Sequence, residues 1–363
     1  MAGGADGKKL AGKYNDFVNP RMEVMAEGHK ISVGEECMLQ SAEILSTLAA
    51  DPDMAVLVYL TGTKQGSRDL EERIDPGAKM EILAGYDGEL SRIFLGYLHE
   101  VQVTDRGQNL REYTLICLDV LGIMKKNNSF RTSGAKKIRQ VLDEILHENA
   151  YGRLIEKYTV DAPPENLNRD CVLRGETHYD ILCRLADELG FEFFCDRGEL
   201  LFRKPPKTAG ERYGLSREYG LLQVRLSATL AGQTGSIRIV GYNRRDEKIA
   251  GEAKRPRVTA PFWKKTDSRL ADCGYVLRDP EIETGAQADH RARTLMERTA
   301  EQCLRMDAIH IGIPELRPGV SVSFEEETDS SLRGVVYVDR TVHLLDEGGY
   351  RTAVWGRRTT GGG

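Results

Sequence analysis

The chain has 363 residues, of which 40% are hydrophobic and 29% are charged, and its formal net charge at pH 7 is −5. These proportions are typical of a folded globular protein and exclude a disordered or fibrous one. At roughly 100 to 200 residues per domain, the length predicts two or three domains. The acidic balance argues against a general nucleic-acid binder, and no run approaches the roughly 18 apolar residues that a membrane-spanning helix needs. We therefore expect no membrane insertion and no stable nucleic-acid partner.

The cysteines indicate a reducing compartment. A disulfide framework or a zinc ribbon needs paired, closely spaced thiols. Here the cysteines are odd in number and scattered: Cys37, Cys117, Cys171, Cys183, Cys195, Cys273 and Cys303. The N-terminus also lacks the apolar core of a signal peptide. The sequence therefore predicts free thiols and a cytoplasmic setting.

The N-terminal third predicts a flexible arm followed by a small β-barrel. Residues 1–19 begin with many glycines and alanines around Lys8 and Lys9, so we expect a mobile arm. Residues 20–124 contain short apolar or alternating segments, such as Met54–Leu60, separated by Gly, Asp or Pro. Short strands at this spacing are typical of a small barrel or sandwich.

Residues 125–206 change to a mixed α/β pattern. Thr177 and Asp180 form a capping-box-like pair at the start of an amphipathic helix, and Gly190 ends it. Two apolar strands follow, joined by the turn Asp196–Gly198, which predicts a hairpin. We expect this α/β segment to separate two β regions.

Two stretches of the chain recur without gaps. Ser46–Ala50 (STLAA) matches Ala228–Gly232 (ATLAG), and the strand Met54–Leu60 matches Ser236–Tyr242 at the same offset of 182 residues. Because both order and spacing recur, the pattern predicts an internal duplication. Chance similarity between two generic β segments is the alternative.

A second correspondence has an offset of 242 residues and links Ile74–Gly77 (IDPG) with Leu316–Gly319 (LRPG). Each is followed by a strand, a charged turn and a strand with an interior glycine, Gly96 in the first copy and Gly334 in the second. A Pro-Gly pair sets a tight turn, and an interior glycine suits a bulge where a small barrel bends. Gly96 and Gly334 are therefore predicted to be matching barrel bends.

The two offsets predict the domain boundaries, because their difference of 60 residues requires an insertion in the second copy. The predicted fold class is mainly β with an α/β insertion. Two related small β-barrels, produced by internal duplication, are joined by the mixed α/β segment. The first barrel spans residues 20–124, the second comprises 207–243 and 307–360, and the insertion spans 244–306.

The insertion is predicted to contain a basic loop and a long helix from about Gly285. Residues 244–284 combine an excess of cations with nearby aromatic residues, so we expect them to be loosely held in the free chain and ordered against an acidic partner. A flexible solvated loop is the alternative. The residues predicted to form this interface are Arg244, Arg245, Lys248, Arg255, Arg257, Phe262 and Trp263.

No motif for catalysis or cofactor binding is recognisable. The sequence lacks G-x-S-x-G, H-E-x-x-H, a P-loop and a G-x-G-x-x-G that follows a strand. His178, Cys183 and Cys195 could meet near one helix and its hairpin, but a cysteine in an apolar stripe usually acts as a small hydrophobe. We therefore predict no catalytic residue, no metal and no cofactor.

Two segments carry a resemblance to a known family. One is Gly175–Phe194 (GETHYDILCRLADELGFEFF), and the other begins with GIPELRPG at Gly312 and includes Gly334, His343 and Gly349–Thr352. Both resemble the phage late control D family, the central baseplate hubs of contractile tails. The hub part of type VI secretion spike proteins is similar. The resemblance covers residues 18 to 358.

The resemblance implies a structural protein without turnover. It implies a homotrimer in which two barrels per chain give six quasi-equivalent barrels, which would join a six-fold tail tube to a three-fold spike. The implied partners are the tail tube protein, a spike protein and other baseplate proteins. We expect assembly in the bacterial cytoplasm and then incorporation into a tail or injection particle.

Two alternatives stay open at the level of sequence. The chain could be the hub portion of a type VI-like complex whose spike is encoded separately, since no oligosaccharide-binding barrel or β-helical repeat follows the hub-like part. It could also be a tail-associated cell-wall hydrolase, although no nucleophile, metal or acid/base constellation supports that function.

Overall fold

Strands dominate the computed structural model, which describes residues 7–31, 36–87, 89–128, 136–171, 173, 175–206, 210–242, 245, 247–258, 262–263, 265–324 and 329–358. Within these residues thirteen strands form one sheet, and three smaller sheets accompany it. No helix in these ranges is long and apolar enough to span a bilayer. The predicted mainly β architecture with additional helices is confirmed.

The first β unit follows a short N-terminal helix. Its elements are α1 (Gly7–Lys13), β1 (Arg21–Ala26), β2 (His29–Lys30), β3 (Cys37–Thr47), β4 (Met54–Thr61), α2 (Lys64–Glu71), β5 (Lys79–Tyr86), β6 (Glu89–Asp105), β7 (Arg111–Leu118) and α3 (Val120–Met124). Every second residue of β4 is buried, because side chains alternate across a pleated strand and one face covers the core. The alternating sequence therefore determines which face of the sheet is inside.

The N-terminal residues from position 7 pack against this unit. Leu10 and Tyr14 are buried, and the Tyr14 hydroxyl donates a hydrogen bond to Glu315 Oε1 at 2.8 Å. The ring of Phe17 lies 5.4 Å from that of Tyr86 in an edge-to-face arrangement. The expectation of a flexible arm is wrong for residues 7–19, since these apolar side chains gain burial despite the small residues around them. The arm's first six residues lie outside the described ones.

The α/β segment forms a second core. Its elements are β8 (Lys136–Lys137), α4 (Ile138–Leu146), β9 (Lys157–Val160), β10 (Asp170–Cys171), α5 (His178–Leu189), β11 (Glu192–Asp196) and β12 (Glu199–Arg203). The predicted capping box opens α5: Thr177 Oγ1 accepts from the Asp180 amide, and the Asp180 carboxylate accepts from the Thr177 amide. Gly190 ends α5 with a left-handed φ of +74°. The predicted hairpin is the antiparallel pair β11–β12.

The second β unit contains a large insertion. Its elements are β13 (Arg212–Gly214), β14 (Leu221–Ala228), β15 (Ser236–Tyr242), β16 (Lys248–Lys254), α6 (Thr266–Leu270), β17 (Gly274–Arg278), α7 (Gly285–Glu301), β18 (Leu304–Ile311), β19 (Ser321–Ser323), β20 (Val335–Asp346) and β21 (Gly349–Arg358). The long helix α7 begins at the predicted residue and buries Ala288, Ala292 and Met296.

Six strands of each unit follow the same order among the described residues. In the first unit the order is β3-β4-β7-β6-β5-β1, and in the second it is β14-β18-β21-β20-β19-β13. The two series also run in the same order along the chain. One pairing differs, because β1 is antiparallel to β5 whereas β13 is parallel to β19. Both units lie in one open sheet, since β20 pairs with β3, and no strand pairing closes a barrel within the described chain.

The strand order corrects one part of the repeat alignment. The counterpart of β4 is β18, whereas the predicted counterpart, β15, lies in a separate sheet with β16 and β17. The prediction was wrong because β4 and β15 are both short, alternating strands that follow a similar turn. The inserted layer of β15, β16, β17 and α7 therefore begins directly after β14 rather than at residue 244.

Candidate assembly interfaces

The two β units are joined edge to edge through β20 and β3. Residues 340–345 pair in antiparallel register with residues 42–47. His343 lies opposite Ile44 in this junction, and both side chains are buried. The junction is thus a continuous β ladder with a buried interior, in which polar residues such as His343 and Thr341 lie beside the apolar Ile44.

Matching irregularities relate β6 to β20. The Gly77 amide donates to the Leu98 carbonyl at 2.7 Å, and the Gly319 amide donates to the Val338 carbonyl at 2.9 Å. Directly after Leu98 and after Val338, the register with the following strand shifts by one residue. The Pro-Gly turns and the bulges therefore make Leu98 the structural equivalent of Val338.

A second pair of irregularities relates β3 to β14. Gln40 in β3 and Leu222 in β14 are the extra residues at equivalent bulges. The Thr47 and Thr229 hydroxyls each accept the amide two residues further on, both at 3.1 Å. These positions agree with the offset of 182 residues found in the sequence.

Two strand edges equivalent to the β20–β3 junction have no partner strand within the described chain. Residues 99–105 of β6 pair with β7 only, and β14 pairs with β18 only. Apolar side chains are exposed along both edges: Val103 is 54% exposed, Leu222 is 52% exposed, and Leu230, just after β14, is 60% exposed. An unpaired edge with exposed apolar residues can add a strand from another chain.

Sequence reasoning missed these edges as interaction surfaces. The signal was present, because Val101 and Val103 alternate with Glu100, Gln102 and Thr104. That alternation predicts a half-buried strand, whereas among the described residues this part of β6 has a neighbouring strand, β7, on one side only.

Part of the predicted basic interface is internal. The Arg255 Nε lies 3.0 Å from Asp267 Oδ1, and its guanidinium is stacked 5.2 Å from the Trp263 ring centre. Trp263 is buried and donates from Nε1 to Asp267 Oδ1 at 2.8 Å. Although burial opposes ionisation, hydrogen bonds from the Val258 amide, Trp263 and Arg255 hold the pKa of Asp267 below its usual value. The expectation that Arg255 and Trp263 await a partner is therefore wrong.

The other predicted interface residues separate from this cluster. Lys248 begins β16 and is exposed, as are Arg245 and Arg257. Phe262 is 74% exposed and has a positive φ of 62°. Arg244 lies outside the described residues. The expectation of a loosely held segment is wrong for β16, which pairs along its whole length with β15.

Gly96 marks a close approach of two strands. A Cβ at this position would lie 2.2 Å from the Leu118 carbonyl oxygen. The bulges of β6 lie on either side of it, at Ile93 and His99. Gly96 therefore sits between two bends rather than in a bulge.

Gly334 has a different structural requirement. It directly precedes β20 and has φ of +142°, a conformation that favours glycine. Because Leu98 corresponds to Val338, the equivalent of Gly96 is Val336. The prediction that Gly96 and Gly334 occupy matching positions is wrong by two residues.

The three residues considered as metal ligands have other environments. His178 is buried, with Nδ1 2.6 Å from the Tyr151 hydroxyl. Burial raises the pKa of Cys183 to about 11 and that of Cys195 well above its usual value. Both thiols therefore stay protonated at neutral pH. In the described parts of the chain, no group of three or more His, Cys, Asp or Glu side chains is arranged to hold a metal ion.

Comparison with known proteins assigns the chain to a family. The model of the phage tail baseplate hub (GPD) family matches residues 55–348. The chain belongs to this family. Baseplate hubs are structural tail proteins, in agreement with the resemblance seen in the sequence. No curated protein sequence matches this hub chain significantly.

Solved structures similar to this hub come from tails and from a secretion system. A tail protein from Neisseria meningitidis MC58 has 13% identity and a TM-score of 0.69, with 94% of this chain and 97% of that chain covered. The 43 kDa tail protein of prophage MuSo2 from Shewanella oneidensis has 15% identity and a TM-score of 0.70, with 94% and 98% covered. An E. coli component of the type VI secretion system has 10% identity and a TM-score of 0.60, with 93% and 76% covered. At these identities the likeness shows a shared fold.

Proposed function

We propose that three copies of this baseplate hub form a closed ring in which β6 of one copy pairs with β14 of the next. The observation that carries the proposal is the β20–β3 junction, because β6 and β14 are its unpaired equivalents. Such a contact joins two different surfaces, so it closes into a ring when the rotation between copies allows.

The register of the proposed contact follows from the equivalent bulges. Val103 would lie opposite Leu226 of the next copy, in the place that His343 and Ile44 occupy within the chain. The pairing would cover the exposed Val103 and bring Leu230 beside a neighbouring strand. Burial of this apolar surface and the new backbone hydrogen bonds would stabilise the ring.

The ring would act as a symmetry adaptor without catalytic turnover. Each chain contributes two similar β units, the first within residues 20–124 and the second from the later part of the chain. A trimer therefore contains six such units. Six units can face a six-fold tail tube while the three chains face a three-fold spike. The proposed partners are the tube protein, the spike protein and other baseplate proteins, with assembly in the bacterial cytoplasm.

A type VI-like hub is a second candidate function. It is favoured by the likeness to the E. coli type VI component and to the Francisella PdpA–VgrG complex, which has 9% identity and a TM-score of 0.53. This chain covers only 54% of the Francisella chain. The same ring would then carry a spike, and co-purification of the chain with its native spike would identify the particle.

Blocking the β6 edge tests the proposed ring. A lysine on an exposed edge disfavours strand pairing, so Val103→Lys should convert a trimer to a monomer in sedimentation velocity experiments. Val18→Lys is the matched control, because Val18 is 55% exposed and lies outside both edges. A trimer that survives Val103→Lys, or a wild-type chain that stays monomeric even with its tube and spike proteins, would contradict the proposal.

A further inference from the structure

Among the described residues, the inserted three-stranded sheet is covered by a helix on one face only. On that face Ile237 and Ile239 of β15 form a small core with Ala288 and Ala292 of α7. A Cβ at Gly251 of β16 would lie 2.4 Å from the Ala288 backbone, so the helix approaches the sheet closely. This packing fixes which residues of the sheet face inward and leaves the alternate residues on the opposite side.

The opposite side is exposed except at Val240, which is buried in its centre, and the cross-strand register places its residues in adjacent rows. Arg238 lies beside Val276, and Tyr242 lies beside Lys248. We call this surface the outer sheet face. Its exposed cationic and apolar members are Arg238, Tyr242, Lys248, Lys254, Val276 and Arg278.

The outer sheet face is cationic on an acidic chain. It carries four cations but only one carboxylate, Glu252, whereas the whole chain has a net charge of −5. None of the four cations forms an ion pair with another described residue. Two large apolar side chains stand among them, with Tyr242 51% exposed and Val276 61% exposed. Unpaired charge beside exposed apolar surface is typical of an interaction site.

We propose that the outer sheet face docks an acidic surface of another protein, with apolar contacts at Tyr242 and Val276. Charge complementarity selects the partner, because four cations that form no ion pair with another described residue favour an approaching carboxylate-rich surface. The apolar pair favours a protein over a nucleic acid, whose exposed backbone offers phosphates but little apolar area. The face is built from hydrogen-bonded strands that pack on α7, so docking needs little ordering of the backbone.

Labelled polypeptides test the proposal with the full-length chain. Polyglutamate and a glutamate–tyrosine copolymer should both bind at low salt in fluorescence anisotropy, and the copolymer should bind more tightly because it adds apolar contacts. Reversal of three cations, Lys248→Glu, Lys254→Glu and Arg278→Glu, should weaken both interactions by about tenfold or more. Tyr242→Ser with Val276→Ser should weaken binding of the copolymer alone.

A matched control makes the same charge change elsewhere. Lys64→Glu, Arg68→Glu and Arg73→Glu reverse three exposed cations in and after α2, and binding should stay within about twofold of wild type. Equal losses in the two triple variants, or no binding by the wild-type chain, would overturn the proposal. Tighter binding of duplex DNA than of either polypeptide, lost in the outer-face variant, would identify a nucleic-acid surface and also overturn it. Unchanged melting temperatures would show that each variant remains folded.

Discussion

At the scale of single residues, Gly96 controls how closely β6 approaches β7. A Cβ there would meet the Leu118 carbonyl oxygen at 2.2 Å and the Phe94 ring at 2.7 Å, and the carbonyl belongs to a paired strand that cannot move freely. Gly96→Ala should therefore lower the free energy of unfolding by about 1 to 3 kcal/mol in urea titrations. Gly62 has no neighbouring atom within 4 Å of such a Cβ, so Gly62→Ala is the control. Equal effects of the two substitutions on the free energy of unfolding would show that the close contact between Gly96 and Leu118 does not determine stability.

Two buried carboxyl groups give the fold a pH dependence. The Asp53 carboxylate accepts the Thr47 amide at 2.9 Å, and Asp119 Oδ1 accepts the Leu121 amide at the same distance. Burial raises the pKa of both groups above their usual values, and repulsion between them adds to the shift for Asp53. Both groups therefore hold protons in the folded chain after the unfolded chain has released them.

The direction of this pH effect follows from the raised pKa values. The contribution of these two groups to the free energy of unfolding should fall as pH rises from about 4 towards neutrality, because in the unfolded chain they lose their protons first. Asp119→Asn keeps a side-chain oxygen for the Leu121 amide but removes one titrating group, so its decline over the same interval should be shallower. Asp272→Asn, at an exposed position, is the control. Parallel profiles of the free energy of unfolding against pH for Asp119→Asn and wild type would contradict the contribution that we assign to Asp119.

At the scale of elements, Asp267 of α6 binds Arg255, Val258 and Trp263, which lie in the loop between β16 and α6. Asp267→Ala removes hydrogen bonds to Arg255, Trp263 and the Val258 amide and should destabilise this loop by about 1 to 3 kcal/mol. We expect faster tryptic cleavage near Arg255 and a red-shifted tryptophan emission, since Trp263 would gain solvent. Asp272→Ala should change neither measurement. Unaltered proteolysis of Asp267→Ala would mean that the strands alone hold the loop.

Local patterns predicted individual elements better than their partners. Thr177, Asp180 and Gly190 give the ends of α5 directly, because capping depends on residues within one turn. The pairing of β14 with β18 could not be predicted, because an insertion of seventy or so residues separates them and alternating strands resemble each other. The internal position of Trp263 could not be predicted, because composition does not reveal the carboxylate of Asp267 that accepts its indole N–H.

At the scale of the whole molecule, the strand order shared by the two β units is the basis of the proposed ring. The short matches in sequence located equivalent turns, such as those at Gly77 and Gly319, but did not show that the units share one sheet. That feature depends on long-range pairing of β20 with β3. The junction identifies the edges of β6 and β14, which pair with no further strand in the described chain, as the equivalents that we propose to pair between copies.

Cross-linking between those edges tests the ring most directly. In a chain with Cys273→Ser, the substitutions Val103→Cys and Leu226→Cys place two thiols opposite each other across the proposed contact, within reach of a disulfide. Mild oxidation should give covalent dimers and trimers and nothing larger. Val103→Cys with Ser227→Cys is the control, because a shift of one residue turns the second thiol to the other face of the sheet. Exclusively monomeric chains, equal cross-linking in the control, or an open-ended ladder of larger species would contradict a three-membered ring joined through β6 and β14.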